Sequence, residues 1–132
     1  MEAIAVVTVL AVFQAFSFAF LVGKQRAKHG VKAPGITGEA EFERAFRIHQ
    51  NTVEQMVVFL PSLWLFGYYV HGLIGAGLGL LFVISRLVYR KSYLDEPTSR
   101  STGFGIGALV MMVLMIGGLV GAILSWVEKI SG

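Results

Sequence analysis

The sequence predicts an all-α integral membrane protein built as a four-transmembrane-helix bundle. Composition is the first reason: of 132 residues, 55% are hydrophobic and only 14% charged, where a soluble domain carries about a quarter charged residues. Uncharged length is the second. Ala3 to Gly23 has no charged residue and, at ~1.5 Å per residue, reaches about 31 Å, enough to cross a bilayer. Gly103 to Val127 is uncharged and longer still. The third reason is Gln55 to Ser85, which carries no formal charge and is interrupted by His71-Gly72. That stretch is too long for one span and suits two helices joined by a tight turn. Almost no soluble mass remains, so residues 1–132 are read as one domain.

The first helix is expected over about Ala3 to Lys28. Met1-Glu2 lacks a basic n-region, the apolar run is long for a signal peptide, and Lys24 follows Gly23 where a small-residue cleavage site is needed. The span is therefore expected to be retained. His29 to Gly38, HGVKAPGITG, reads as a loop from its glycines and proline. The second helix is expected to begin between Glu39 and Phe42, where Glu39, Glu41 and Glu43 suit the positive end of a helix dipole, and to run to about Val70. Pro61 inside it frees the carbonyl of Val57 and favours a kink. The third helix is expected from about Leu73 to Leu94. Pro97 closes the next linker, Thr98, Ser99 and Ser101 are candidate caps, and the fourth helix extends to about Lys129. Gly75 with Gly79, Gly103 with Gly107, and Gly117 with Gly121 are small-residue spacings that let helices approach closely.

Loop charges set the expected orientation. Lys24, Arg26, Lys28, Lys32, Arg44 and Arg47 surround the first loop, and Arg86, Arg90, Lys91 and Arg100 surround the third. The turn at His71 has neither Lys nor Arg. The positive-inside rule then places loops one and three in the cytoplasm and both termini on the opposite side, in the inner membrane if the cell is bacterial. The formal charge of +3 thus reports topology, and with no RNA or DNA motif beside it no nucleic-acid partner is expected. The chain has no cysteine, which excludes disulfides, thiolate metal sites and an enzyme thiol nucleophile. Any thiol chemistry must use a thiol that arrives with a substrate.

Two polar stripes stand out. Arg44, Arg47, Asn51 and Glu54 follow one another at spacings of three, four and three, so they share one helix face. Arg86, Tyr89, Arg90 and Tyr93 recur at three- and four-residue spacings at the end of the third helix. Antiparallel pairing of helices two and three brings these stripes to the same depth, with Arg100 at the same level. Lys24, Lys28, Lys32, Lys91 and Lys129 read as snorkelling to headgroups. Glu54 sits inside the span, so its charge needs pairing or neutralising, and Arg47 and Arg86 are the candidate partners. Arginine forks bind carboxylates, a glutamate holds an ammonium group, and asparagine serves both sides of a peptide bond. Tyrosines supply hydroxyls on apolar bodies. The ligand implied is a zwitterion with extra carboxylates, reached from the cytoplasm beside an opening to lipid.

These residues resemble the family of membrane-associated proteins in eicosanoid and glutathione metabolism (MAPEG). The pattern E-R-x-x-R-x-x-x-N-x-x-E occurs as Glu43, Arg44, Arg47, Asn51 and Glu54, and R-x-x-Y-x-x-x-Y as Arg86, Tyr89 and Tyr93. Arg100 follows at the spacing seen in leukotriene C synthases of that family. The resemblance implies a homotrimer with glutathione as cosubstrate, no metal, and the tripeptide bound between subunits near the cytoplasmic face. It implies that Arg47, Asn51, Glu54, Tyr89 and Tyr93 bind glutathione, that Arg86 supports it, and that His49 reaches the site from a neighbouring subunit. His49 lies about 200° around the helix from Arg47, facing away from the stripe. Arg26 resembles an arginine near the second-substrate entrance. Gln55 departs from the pattern, replacing an aromatic that leukotriene C synthases place beside glutathione.

The activity implied is a membrane glutathione transferase. A free thiol of pKa ~8.5 is only a few per cent thiolate at neutral pH. In the implied mechanism Arg100 stabilises the thiolate and Tyr93 donates a further hydrogen bond, for attack on a lipophilic electrophile or a lipid hydroperoxide dissolved in the bilayer. Two alternatives stand beside it. One is a noncatalytic lipid- or glutathione-binding scaffold of the same family. The other is a small multidrug transporter, which needs a membrane-embedded carboxylate in the first helix, where this chain has Gln14. A purely structural bundle leaves Asn51 and Glu54 unexplained.

Overall fold

The computed structural model describes residues 1–95 and 101–132, so Pro97, the candidate caps Thr98 and Ser99, and Arg100 lie outside the described residues. Four helices make up the fold: α1 (Glu2–His29), α2 (Ala40–Tyr69), α3 (Gly72–Asp95) and α4 (Ser101–Ser131). Each falls within a few residues of its expected bounds. Gly30 ends α1 in the left-handed region at φ 67°, and the Gly30 and Val31 amides both donate to the Arg26 carbonyl. A side chain strains at that φ, which explains the glycine. Glu39 begins α2 from extended backbone, with Glu41 and Glu43 in the first turn, where they meet the positive end of the dipole. His71 makes the α2–α3 turn tight by accepting the Ile74 amide on Nδ1 at 3.2 Å.

The helices alternate in direction. Ile4 near the start of α1 meets Gly67 at the end of α2 and Gly75 at the start of α3, and Gly103 at the start of α4 meets Tyr89 near the end of α3. α2 and α3 form a central pair; α1 packs on both from one side and α4 on both from the other. The core runs along this seam through Ile4, Val7 and Ala11, then Met56, Phe59 and Leu63, then Phe82, then Val110 and Leu114. Phe59 and Phe82 stack with ring centroids 4.0 Å apart. Gly79 lets α3 approach this layer, since a Cβ there would fall 2.8 Å from Val7 and 3.0 Å from Leu63. The expected glycine spacings are thus packing contacts. Two polar ties cross α1: Gln14 Nε2 donates to the Val83 carbonyl at 2.9 Å, and Trp64 Nε1 donates to Thr8 Oγ1 at 2.9 Å. Gln14 is therefore spent on helix packing.

α1, α3 and α4 are each long and apolar enough to cross a membrane. Their outward faces are apolar, with Val9, Phe13 and Phe20 on α1 and Leu109, Leu119 and Leu124 on α4 all exposed. A face of that size on a helix bundle is suited to lipid. α2 has the length but not the hydropathy, because its first half carries the polar stripe. Its apolar part, from Gln55 onward, packs between α1, α3 and α4, and α2 continues as one helix through Pro61.

Candidate functional site

At the end of the bundle where α1 finishes and α2 begins, a cleft of about 890 Å³ opens among the first loop, α2, the end of α3 and the start of α4. α2 contributes Glu43, Phe46, Arg47, Gln50, Asn51 and Glu54. These positions recur at three- and four-residue steps, the spacing of one helix face. α3 contributes Tyr89 and Tyr93, whose rings lie 5.6 Å apart. α4 contributes Ser101 and Phe104, the latter 6.5 Å from the Tyr89 ring. Ile36 and Thr37 of the loop close one wall. Of the residues expected to hold a ligand, Arg47, Asn51, Glu54, Tyr89 and Tyr93 are brought together here.

Arg86 does not line the cleft. It is fully buried behind it, at 0% exposure, because α3 turns it toward α2. Its Nη2 donates to Asn51 Oδ1 at 2.9 Å and to Thr52 Oγ1 at 2.7 Å, and Nη1 donates to Gln55 Oε1 at 3.3 Å. The guanidinium carbon also sits 4.1 Å from the centre of the Tyr89 ring. Arg86, one of the two candidate partners for Glu54, is thus committed to these neutral acceptors instead. Glu54 is exposed and lines the cleft, where among the described residues its carboxylate accepts a long 3.5 Å contact from Gln50. No ion pair joins it to Arg47 or Arg86 among the described residues.

His49 is half-buried and absent from the cleft lining, as its position around α2 requires. Arg90 is also turned away, with its guanidinium carbon 5.9 Å from the Phe18 ring. Arg26 holds the first loop: Nη1 donates to the Gly35 carbonyl at 2.6 Å and its guanidinium stacks 4.8 Å from the Phe42 ring. Next to it, Lys28 and His29 meet the Glu41 carboxylate at 3.0 and 3.4 Å. The hydrogen bond from Lys28 holds the Glu41 carboxyl below the usual carboxylate range. Arg100, expected beside the sulfur, lies outside the described residues.

Sequence reasoning passed over Phe46, Gln50, Ile36, Thr37 and Phe104. Phe46 and Gln50 share the face of Arg47 and follow from the same spacing, but carry no charge to mark them. The loop and α4 residues had no signal, because only packing brings them to the cleft. Chemically, the described lining offers one exposed cation between two carboxylates, two amides, two phenols and an apolar rim. It can hold a small zwitterionic, peptide-like molecule by its charged ends while an apolar molecule approaches past Phe46 and Phe104.

A model of the MAPEG family matches residues 4–120. An uncharacterized protein of Synechocystis, sll1147, is 40% identical over 87% of this chain and 84% of its own length. The microsomal glutathione S-transferase 2 of Bos taurus is 36% identical over 96% of this chain and 86% of that protein. The leukotriene C4 synthase of Cavia porcellus is 33% identical over 85% of this chain and 75% of that protein.

Proposed function

Because the chain belongs to the MAPEG family, we propose that it is a membrane-bound glutathione transferase that activates the glutathione thiol for attack on lipophilic electrophiles. The observation that carries this reading is the convergence of Arg47, Asn51 and Glu54 with Tyr89 and Tyr93 in one cleft, in a chain similar to microsomal glutathione S-transferases. Arg47 takes a glutathione carboxylate, Glu54 the γ-glutamyl ammonium, and Asn51 the peptide backbone. Tyr93 and Arg100 act at the sulfur, where a permanently charged guanidinium favours thiolate over thiol. The sulfur then forms a carbon–sulfur bond at the electrophile, and the displaced electron pair leaves with a halide or remains on an opened epoxide oxygen that takes up a proton. With a lipid hydroperoxide, two glutathiones supply two electrons, yielding an alcohol, water and glutathione disulfide. The apolar partner is concentrated in the bilayer, and glutathione enters from the cytoplasmic side.

The reading includes a homotrimer in which His49, on the far side of α2 from its own cleft, serves a neighbouring subunit. Its test is direct: purified protein in detergent, titrated with glutathione and then given a halonitrobenzene or a lipid hydroperoxide. Saturable binding followed by conjugate or alcohol formation is expected. Absence of glutathione binding sinks the reading, and binding without turnover makes the chain a noncatalytic scaffold.

A further inference from the structure

We propose that Arg86 is a positioning residue that locks the Asn51 side-chain amide with its NH2 group presented to the cleft, so that the site takes a hydrogen-bond acceptor at that point. The inference rests on the glutathione reading of the cleft for the identity of that acceptor, a peptide carbonyl or a carboxylate. Its core is a matter of donor and acceptor type. A guanidinium has five N–H donors and no acceptor. The Asn51 atom 2.9 Å from Nη2 is therefore the carbonyl oxygen, and the opposite amide orientation would set donor against donor.

Arg86 reaches the cleft lining by its hydrogen bond to Asn51 and by the Tyr89 ring against its guanidinium, and of these only the bond to Asn51 fixes an amide orientation. Thr52 Oγ1 accepts from Arg86 and spends its own proton on the Ile48 carbonyl at 2.8 Å. Gln55 Oε1 accepts from Nη1, and both Thr52 and Gln55 are buried outside the cleft lining. Asn51 alone among the three acceptors lines the cleft. Gln55, at the position where the resemblance places an aromatic in leukotriene C synthases, accepts from Arg86. Among the described residues no carboxylate pairs with Arg86, and its Nε has no partner. Polarisation along the Arg86–Asn51 bond strengthens the outward Nδ2 donor.

The test uses full-length protein in detergent, with glutathione and S-methylglutathione as probes in calorimetry. Arg86→Lys keeps the charge but cannot fork to three acceptors, and is expected to weaken both probes about tenfold. Asn51→Ala is expected to do the same, and the double variant to be no weaker than Asn51→Ala alone. Losses that multiply in the double variant would overturn the proposal, because Arg86 would then act independently of Asn51. Asn51→Asp provides a readout that needs no ligand: one carboxylate oxygen pairs with Arg86, so the thermal midpoint is expected to hold or rise, while affinity falls more than tenfold as the outward donor becomes an acceptor. A lowered midpoint, or Asn51→Asp binding glutathione like the unsubstituted protein, overturns the orientation. Failure of the unsubstituted protein to bind glutathione counts against the cleft's ligand, and the midpoint of Asn51→Asp still decides the orientation.

Discussion

Gly103 on α4 is seated on the backbone of Tyr89 on α3, so closely that a Cβ there would fall 2.6 Å from the Tyr89 amide nitrogen and 2.8 Å from the Ser85 carbonyl oxygen. This contact sets the distance between the two helices at the cleft and brings Phe104 against Tyr89. Gly103→Ala pushes against backbone, which cannot rotate away. We expect it to lower stability by about 1–3 kcal/mol and to weaken glutathione binding as well. Gly105→Ala is the control: a Cβ there meets nothing within 4 Å, so helix propensity makes the change neutral or stabilising by roughly 0.5–1 kcal/mol. Thermal midpoints in detergent check both.

Arg47 and Glu54 are exposed in the cleft and joined to no described ion pair. Arg47→Ala and Glu54→Gln are each expected to weaken glutathione binding by ~1.5–3 kcal/mol, the scale of a hydrogen bond to a charged group. Stability is expected to stay within about 0.5 kcal/mol, as for surface changes. Calorimetry beside thermal melts measures the contrast, and a large stability loss in either variant would contradict the exposed placement.

Arg26 fastens the loop that carries Ile36 and Thr37 to the cleft wall. Arg26→Gln cannot both reach the Gly35 carbonyl and stack on Phe42. Faster proteolysis within residues 30–39 is expected, together with a several-fold rise in KM for the apolar substrate and little change in kcat. Unchanged proteolysis would show that the loop is held by other means.

Glu41 gives stability a pH dependence at the α1–α2 junction. Its carboxyl is held below its ordinary value, chiefly by the hydrogen bond from Lys28. A depressed carboxylate pKa contributes stability that is present above the unfolded value, about 4.3, and is lost as pH falls through the folded value. Glu41→Gln is expected to flatten the thermal midpoint across that acidic window and to match the unsubstituted protein once both are fully protonated. Melts recorded at descending pH test this.

The helices were legible because each needs only local information. Uncharged runs long enough to cross a bilayer, the breaks at His29–Gly38 and at His71, and the glycine spacings all lie within a few turns of one another in the chain. The α2 stripe was legible for the same reason, since three- and four-residue steps place Arg47, Asn51 and Glu54 on one face whatever surrounds them.

The partners of those residues were not legible. Arg86 was one of two candidate partners for Glu54, yet it turned to the neutral acceptors Asn51, Thr52 and Gln55. Side-chain direction across a helix interface depends on how the two helices rotate against each other, and close contacts such as Gly103 on Tyr89 set that rotation. The sequence by itself thus determined the four helices and the polar stripes of α2 and α3. Only the tertiary structure decided which polar groups meet, which are buried, and that Ile36, Thr37 and Phe104 complete the cleft, because those outcomes rest on contacts between segments far apart in the chain.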